Sequence, residues 1–327
     1  MTMSPTRRKL LASSLAILYS IRHSQANERL PKSPVRLLVG FAPGGGTDIM
    51  ARLIAQYINE RGLIKVIVEN RPGANGMIAA HAVARAPADG TSIMLASTTT
   101  MVFTKLTSDK LPIDPLLDLK PIAQLGVLRA AIVAAPSLGV KTLAELVSWC
   151  KANPNMANYG ATAMGSPPHF TGVMLSRISG IKMTIVPYKG AAPLVTDLAG
   201  GHIAAGGGAL SDFLQHHRSG RLVILGISGD NRSPSAPDLM TFAEAGFPQI
   251  TGGAFTGFFA PTGTPLPIMA ALEDEISAVR ALPVVRERLL ALGAEVAYAS
   301  GDTFAKLLAE DYKTWKPVVE ASGFKAE

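Results

Sequence analysis

The sequence predicts an α/β protein with mainly parallel sheets, and three observations predict it. Short apolar runs recur along the chain. Segments with apolar residues at helical spacing separate them. Glycine-rich turns join the ends of runs to the starts of helices.

The first run is Val35-Arg36-Leu37-Leu38-Val39. It leads through Phe41-Ala42-Pro43-Gly44-Gly45-Gly46-Thr47-Asp48 into a segment where Ile49, Leu53, Ile54, Tyr57 and Ile58 share one helical face. Residues 65–69 read as a strand, 73–86 as a helix of small residues, and 92–96 as a strand ending in Ser97-Thr98-Thr99-Thr100. Residues 130–134 and 158–161 read as strands on either side of a helix that Thr142 and Glu145 open as a capping box. Further strands are expected over 183–186, 222–227 and 257–260, and helices over 266–279, 284–292 and 303–320. In such sheets ligands sit at the C-terminal ends of strands. The chain shows no sequential domain boundary, as expected of two lobes joined by strands that cross between them.

The N-terminus reads as an export signal. Arg7-Arg8-Lys9 is a basic region, residues 10–21 are apolar but short for a membrane span, and Ser24-Gln25-Ala26 places small residues for cleavage after Ala26. Thr6-Arg7-Arg8-Lys9-Leu10-Leu11 also resembles a twin-arginine signal, so both export routes stay open. The full chain carries a formal charge of +7, and removing residues 1–26, with four basic residues and no acid, leaves +3. A charge this small with scattered basic residues speaks against nucleic-acid binding and suits an anionic ligand. Cys150 is the only cysteine, so an exported chain would hold together without an internal disulfide. A thiol in mid-helix reads as packing.

The segment from Phe41 to Asp48 puts a glycine turn before a helix N-terminus. Free backbone N–H groups and the positive dipole end then meet at one point, which suits a carboxylate or phosphate. No Walker lysine and no GxGxxG pattern are present, and Asp48 would repel a polyphosphate. A tight turn with no ligand remains the other reading of this segment alone. His202, His216 and His217 do not form a metal set, because adjacent helical residues point apart. No GxSxG occurs and no nucleophile–base pair can be named, so neither a metal, a cofactor nor a catalytic residue is expected.

Six further motifs follow in order. They are Glu69-Asn70-Arg71-Pro72-Gly73-Ala74-Asn75-Gly76, Ala88-Asp89-Gly90-Thr91, Val186-Pro187-Tyr188-Lys189-Gly190, Thr196-Asp197-Leu198-Ala199-Gly200-Gly201, Glu244-Ala245-Gly246-Phe247-Pro248 and Ala260-Pro261-Thr262-Gly263-Thr264-Pro265. With the Phe41–Asp48 loop, the set closely resembles the Bug family, the TctC-like periplasmic binding proteins of tripartite tricarboxylate transport systems. The resemblance runs from Leu30 to Phe324.

That resemblance implies a type II periplasmic binding fold, two α/β lobes joined by two crossover strands with a ligand cleft between them. Lobe one would comprise residues 30–129 and 255–327, and lobe two residues 130–254. It implies a small organic carboxylate held by one strand-to-helix loop of each lobe, partly through water. The lobe-one loop would contribute Phe41, Pro43, Gly44, Gly45, Gly46, Thr47 and Asp48, with Ser97 and Thr98 at a neighbouring strand end. The lobe-two counterpart would contribute Thr162, Ala163, Gly165 and Ser166. His169 either faces the cleft or is a packed or capping histidine. Tyr188 would meet the ligand, and Lys189 either meets it as a charge partner or lies at the surface.

Two departures from the family pattern bear on ligand size. Ala204-Ala205-Gly206-Gly207-Gly208-Ala209 stands where the family has an aromatic residue and a polar pair at a strand end. Glycines there, Gly207 above all, are expected to open the pocket to a longer or aromatic acid; the alternative is that Asp212 takes the polar role. Water, or Phe255 and Phe258, filling the gap is the competing reading. Phe255 itself stands where tryptophan is common.

The function expected is a periplasmic solute receptor, monomeric, that closes on its carboxylate and presents it to the permease subunits of a tripartite transporter. A receptor for a membrane sensor is one alternative. An exported enzyme using Asp48 or His169 is the other.

Overall fold

The computed structural model describes residues 30–326, and the expected export signal lies outside them. In chain order the strands are β1 (Val35–Val39), β2 (Val66–Asn70), β3 (Ser92–Ser97), β4 (Leu119–Leu128), β5 (Ala130–Ala134), β6 (Asn158–Ala161), β7 (Thr184–Pro187), β8 (Ala205–Ala209), β9 (Val223–Ile227), β10 (Ala254–Pro261) and β11 (Ala294–Glu295). The α-helices are α1 (Gly46–Arg61), α2 (Met77–Ala84), α3 (Thr104–Thr107), α4 (Pro115–Asp118), α5 (Leu143–Ala152), α6 (Pro167–Ser179), α7 (Ala191–Ala199), α8 (Leu210–Arg218), α9 (Leu266–Arg280), α10 (Pro283–Ala291) and α11 (Gly301–Ser322).

The strands form two sheets, ordered β11-β4-β10-β3-β1-β2 and β7-β6-β8-β5-β9. Each has a buried apolar cluster on both faces, as alternating side chains require. In β1, Val35, Leu37 and Val39 join Met50, Ile54 and Ile58 of α1, whereas Leu38 faces the opposite cluster with Phe259 and Phe304. The buried stripe of α1 is therefore offset from the expected one. Met50 is buried, and Ile49 is 42% exposed.

The sheets are mixed, not mainly parallel. β1 pairs parallel with β2 and β3, but β10 runs antiparallel to β3 and β4. In the second sheet β6 pairs parallel with β7 and β8, while β5 runs antiparallel to β8 and β9. The exceptions belong to the crossings between sheets. β4 passes into β5 through one residue, Arg129, and β10 returns the chain to the first sheet. A strand that arrives directly from the other half, with no crossover helix, is free to run against its neighbours.

β4 escaped the periodicity reading because Pro121, Gln124 and Gly126 interrupt its apolar pattern. The structure accommodates the proline at an irregularity, since the β4–β10 register shifts beside the Pro121–Phe259 pair. β8, expected only as a strand end, has the weakest strand propensity of all, yet it is the middle strand of its sheet. The helix expected from residue 73 begins at Met77. Before it, Gly73, Ala74, Asn75 and Gly76 all have positive φ. This left-handed turn lies against the end of β1, where a Cβ on Gly40 would stand 2.4 Å from the Gly76 Cα.

Candidate functional site

At the C-terminal end of β1 the chain turns at Gly44, whose φ of +82° favours glycine, and Gly45 then opens α1 from an extended conformation at φ −74°. No side chain caps the helix. Among the described residues the first-turn N–H groups of Gly46, Thr47 and Asp48 therefore have no side-chain acceptor, and Gly46 is exposed.

Asp48 does not point outward to hold a ligand water. It is 2% exposed, and its carboxylate ties the loop to its neighbours. It accepts the Gly44 N–H at 2.9 Å, Arg52 Nε at 3.0 Å and Asn70 Nδ2 at 2.8 Å. Asn70 also donates to the Phe41 carbonyl at 3.1 Å and accepts Arg52 Nη2 at 2.9 Å. Burial alone would raise the Asp48 pKa, but the hydrogen bonds from Arg52, Gly44 and Asn70 outweigh it and hold the carboxyl below its usual range. Asp48 is thus a fixed anion that braces the loop and leaves the helix amides for something else.

Phe41 is half-buried and packs against the core beneath the loop, while Pro43, Gly44 and Gly45 are exposed. Ser97, at the end of β3, is half-buried. Thr98 is fully buried, and its hydroxyl accepts the Phe255 N–H at 2.7 Å. That bond anchors β10. Phe255 packs edge-on against Phe304, with ring centroids 5.0 Å apart.

The lobe-two loop differs from its counterpart. Pro167 and Pro168 occupy the first positions of α6 and carry no N–H, and the His169 N–H is spent on the Ser166 carbonyl at 3.0 Å. The helix end thus lacks the free amides that open α1. Ser166 Oγ donates to the Ala163 carbonyl at 2.7 Å, and the Thr162 N–H reaches the Gly207 carbonyl at 3.4 Å. Gly165 takes φ +69° and donates to His169 Nδ1 at 3.3 Å. Ala163 and Met164 are the exposed part of the loop.

His169 is a packed histidine. It is 4% exposed, with its ring centroid 4.5 Å from Phe170 and 5.0 Å from Phe324. Burial lowers its pKa to about 4, so at neutral pH it is uncharged. The accepting Nδ1 places the ring proton on Nε2. Tyr188 donates to Asp197 at 2.6 Å, and its ring lies where a side chain at Gly160 would be. Burial and Asp197 push its pKa up to about 12. Lys189 is exposed. Asp212 stands in the first turn of α8, next to the end of β8. Although the residue is exposed, desolvation by neighbouring protein raises its pKa and the Ala209 N–H partly offsets this.

The glycines of β8 do not open a pocket. A Cβ on Gly206 would meet the Gly160 carbonyl at 2.9 Å and Leu194 at 3.0 Å. One on Gly207 would lie 1.9 Å from the Tyr159 hydroxyl, and one on Gly208 2.9 Å from both Phe213 and Thr162. Neighbouring side chains occupy the volume on both faces, which corrects the expectation of a larger ligand space. The fillers are Tyr159, Leu194 and Phe213, not water, Phe255 or Phe258.

The structure therefore gathers the predicted residues at two sheet ends. Phe41–Asp48 and Ser97 lie at the C-terminal ends of β1 and β3, and Thr162–Ser166 and Asp212 lie beyond β6 and β8. Arg52 and Asn70 were missed as loop partners, although the i, i+4 spacing of Asp48 and Arg52 signals the first of them. A cavity of about 640 Å³ on another flank, walled by Asn75, His81, Thr104, Ser108 and Lys110 among others, contains none of the predicted residues. Among the described residues, no cluster of His, Cys, Asp and Glu could hold a metal, and no helix is long and apolar enough to cross a membrane.

Comparison with known proteins adds to this geometry. The family model described as tripartite tricarboxylate transporter family receptor, TctC, matches residues 50–324. The Bordetella pertussis protein BugT is 33% identical over 296 residues, covering 90% of this chain and 91% of BugT. Among solved structures, MatC from Rhodopseudomonas palustris with bound malate is 31% identical with a TM-score of 0.72, covering 89% of this chain and 100% of that one. A second R. palustris protein, with adipate, is 29% identical with a TM-score of 0.76, covering 90% and 99%. A TctC solute binding protein from Polaromonas is 27% identical with a TM-score of 0.79, covering 89% and 99%. The two mixed sheets are thus the two lobes of a type II periplasmic binding fold.

Proposed function

The chain belongs to the tripartite tricarboxylate transporter receptor family, a family of solute receptors and not of enzymes, and on that premise we propose that its ligand is a small organic carboxylate. The observation that carries this is the start of α1. Its amides have no side-chain acceptors among the described residues, while the Asp48–Arg52–Asn70 network holds the turn in place. Amides fixed beforehand bind a carboxylate at less entropic cost than amides that must be ordered by it. The side chain of Asp48, already satisfied, is no general base. His169, neutral and packed, is no general acid.

The second lobe would complete the grip with the exposed Ala163–Met164 peptide, Ser166 and the start of α8, so the two ends would contribute unequally. We draw the lobe limits at residues 30–129 with 255–327 and at 130–254, one site per monomeric chain. The malate and adipate in the related structures favour a dicarboxylate. Delivery to the permease subunits of a tripartite transporter, after export to the periplasm and cleavage following Ala26, completes the reading.

Calorimetry of the protein lacking residues 1–26 against malate, adipate and a panel of mono- and tricarboxylates tests it. At least one acid should bind at micromolar concentration or below, about −8 kcal/mol. Binding of neutral sugars or cations alone would overturn the proposal.

A further inference from the structure

Arg129 is the single residue between β4 of the six-stranded sheet and β5 of the five-stranded sheet. Its side chain touches both halves. Nε and Nη2 lie 2.9 and 2.8 Å from Glu295 Oε2 on β11, which belongs to the first sheet. Nη1 donates at 2.7 Å to the Ser228 carbonyl and at 2.9 Å to the Asn231 carbonyl, just past the end of β9 in the second sheet. Its own backbone carbonyl accepts the Leu210 N–H at 2.8 Å, at the start of α8.

The surroundings are built for this side chain. A Cβ on Gly229 would lie 1.5 Å from Nη1, so only glycine leaves room for the fork, and Gly229 takes φ +111°. Arg129 and Glu295 are 14% and 13% exposed, so the pair is largely out of water. A desolvated pair of this kind is weak evidence for added stability. Its planar, directional hydrogen bonds instead fix relative orientation. The returning crossover adjoins the same point. Ser228 Oγ accepts the Ala130 N–H at 2.8 Å and would lie 2.9 Å from a Cβ on Gly253, just before β10.

Two features show an arrangement able to change. Glu295 Oε1 is buried with no partner among the described residues, so the carboxylate keeps a spare acceptor beside the fork. A cavity of about 200 Å³ adjoins the pair, walled by α8 on one side and by the end of α10 and Gly293 on the other. Rotation of one sheet against the other about the crossover must move the Ser228 and Asn231 carbonyls relative to Glu295, with the guanidinium between them.

We propose that Arg129 is a positioning residue for lobe closure, a pin whose fork fixes the angle between the two sheets by holding Glu295 of one and the Ser228 and Asn231 carbonyls of the other. Its side chain makes no hydrogen bond to a ligand-site residue named above. Its effect on ligand is through the closed geometry, and in that respect only the inference rests on the proposed function.

The test begins without ligand. Cysteines replace Gln56 on α1 and Ser148 on α5, both exposed, in a Cys150→Ala background, and spin labels on them report the distance between the halves. Arg129→Met and Glu295→Gln should each broaden the distance distribution of the unliganded protein, by about twofold for Arg129→Met, as expected when a tie between two rigid bodies is cut. Glu295→Gln keeps the shape of the pair and guards against a variant that simply fails to fold, which circular dichroism reports. In a second arm with adipate as probe, Arg129→Met should raise the dissociation rate about tenfold and leave association within about twofold. Arg129→Lys, with a cation but no fork, should not restore either readout. Unchanged distributions in both folded variants would overturn the proposal. Absence of adipate binding to the parent protein bears on the choice of ligand alone, because the distance measurement needs none.

Discussion

The Tyr159 hydroxyl occupies the place of a side chain at Gly207. A Cβ there would be 1.9 Å from its oxygen, and the Tyr159 ring is in turn seated where a side chain at Gly172 of α6 would be. One fully buried tyrosine thus explains two glycines, on a strand and on a helix, that are far apart in sequence. The hydroxyl has no hydrogen-bond partner among the described residues, and its burial raises its pKa far above the usual phenol range.

Gly207→Ala should destabilise the protein by about 1–3 kcal/mol or more, because the tyrosine must leave its rotamer to admit a methyl group. Tyr159→Phe should be neutral or stabilising by up to about 1 kcal/mol, since it removes a buried hydroxyl that bonds to nothing. In the double variant the two effects should fall short of their sum. Urea denaturation of the four proteins checks this, and additivity would show that the hydroxyl does not crowd Gly207.

The two turn glycines should behave differently. Gly44→Ala, at positive φ, should cost about 1 kcal/mol. Gly45→Val should leave the fold intact, because Gly45 has φ −74° and its Cβ would meet only the Ala42 carbonyl, at 3.3 Å. Its side chain should still block approach to the α1 amides and abolish carboxylate binding. Normal binding by the folded variant would remove the β1–α1 loop from the site.

Asp48→Asn should cost about 1–2 kcal/mol at pH 7, toward the lower end for charged hydrogen bonds because Arg52 is half exposed. The folded carboxyl has a depressed pKa, so its contribution is present above the unfolded value of ~3.9 and is lost as pH falls through the lower folded value. The stability gap between parent and variant should therefore narrow below about pH 4. A gap constant down to pH 2 would show that the charge is immaterial.

His169 carries the opposite chemistry with the same sign. Its folded pKa of about 4 lies below the unfolded ~6.5, so protonation favours the unfolded chain. Stability should be complete above about pH 6.5 and fall by on the order of 2–3 kcal/mol as pH drops toward 4. His169→Gln should flatten that part of the pH profile. A profile unchanged by the substitution would mean that the ring is open to water.

Much of the architecture was legible because it is written in contiguous residues. β1, the glycine turn and the start of α1 follow from a run, a turn and a period. The Thr142 and Glu145 box is present with both of its hydrogen bonds, and Cys150 packs in the core as a small apolar residue. The order of the motifs pointed to the family. Local sequence could not show β4, whose Pro121 is tolerated only because the partner strand shifts register there, or β8, which is a strand only because β5 and β6 pair with it on either side.

The site divides in the same way. The sequence by itself determined that a glycine turn would present the first amides of α1, because φ preferences and helix geometry are local. Tertiary structure alone decided that Asn70 would join Arg52 on Asp48, that Phe324 would pack against His169, and that Tyr159 would fill the space left by Gly207. Those outcomes depend on which side chain arrives from a distant strand or helix to claim a hydrogen bond or a volume, and close packing lets only one claim it.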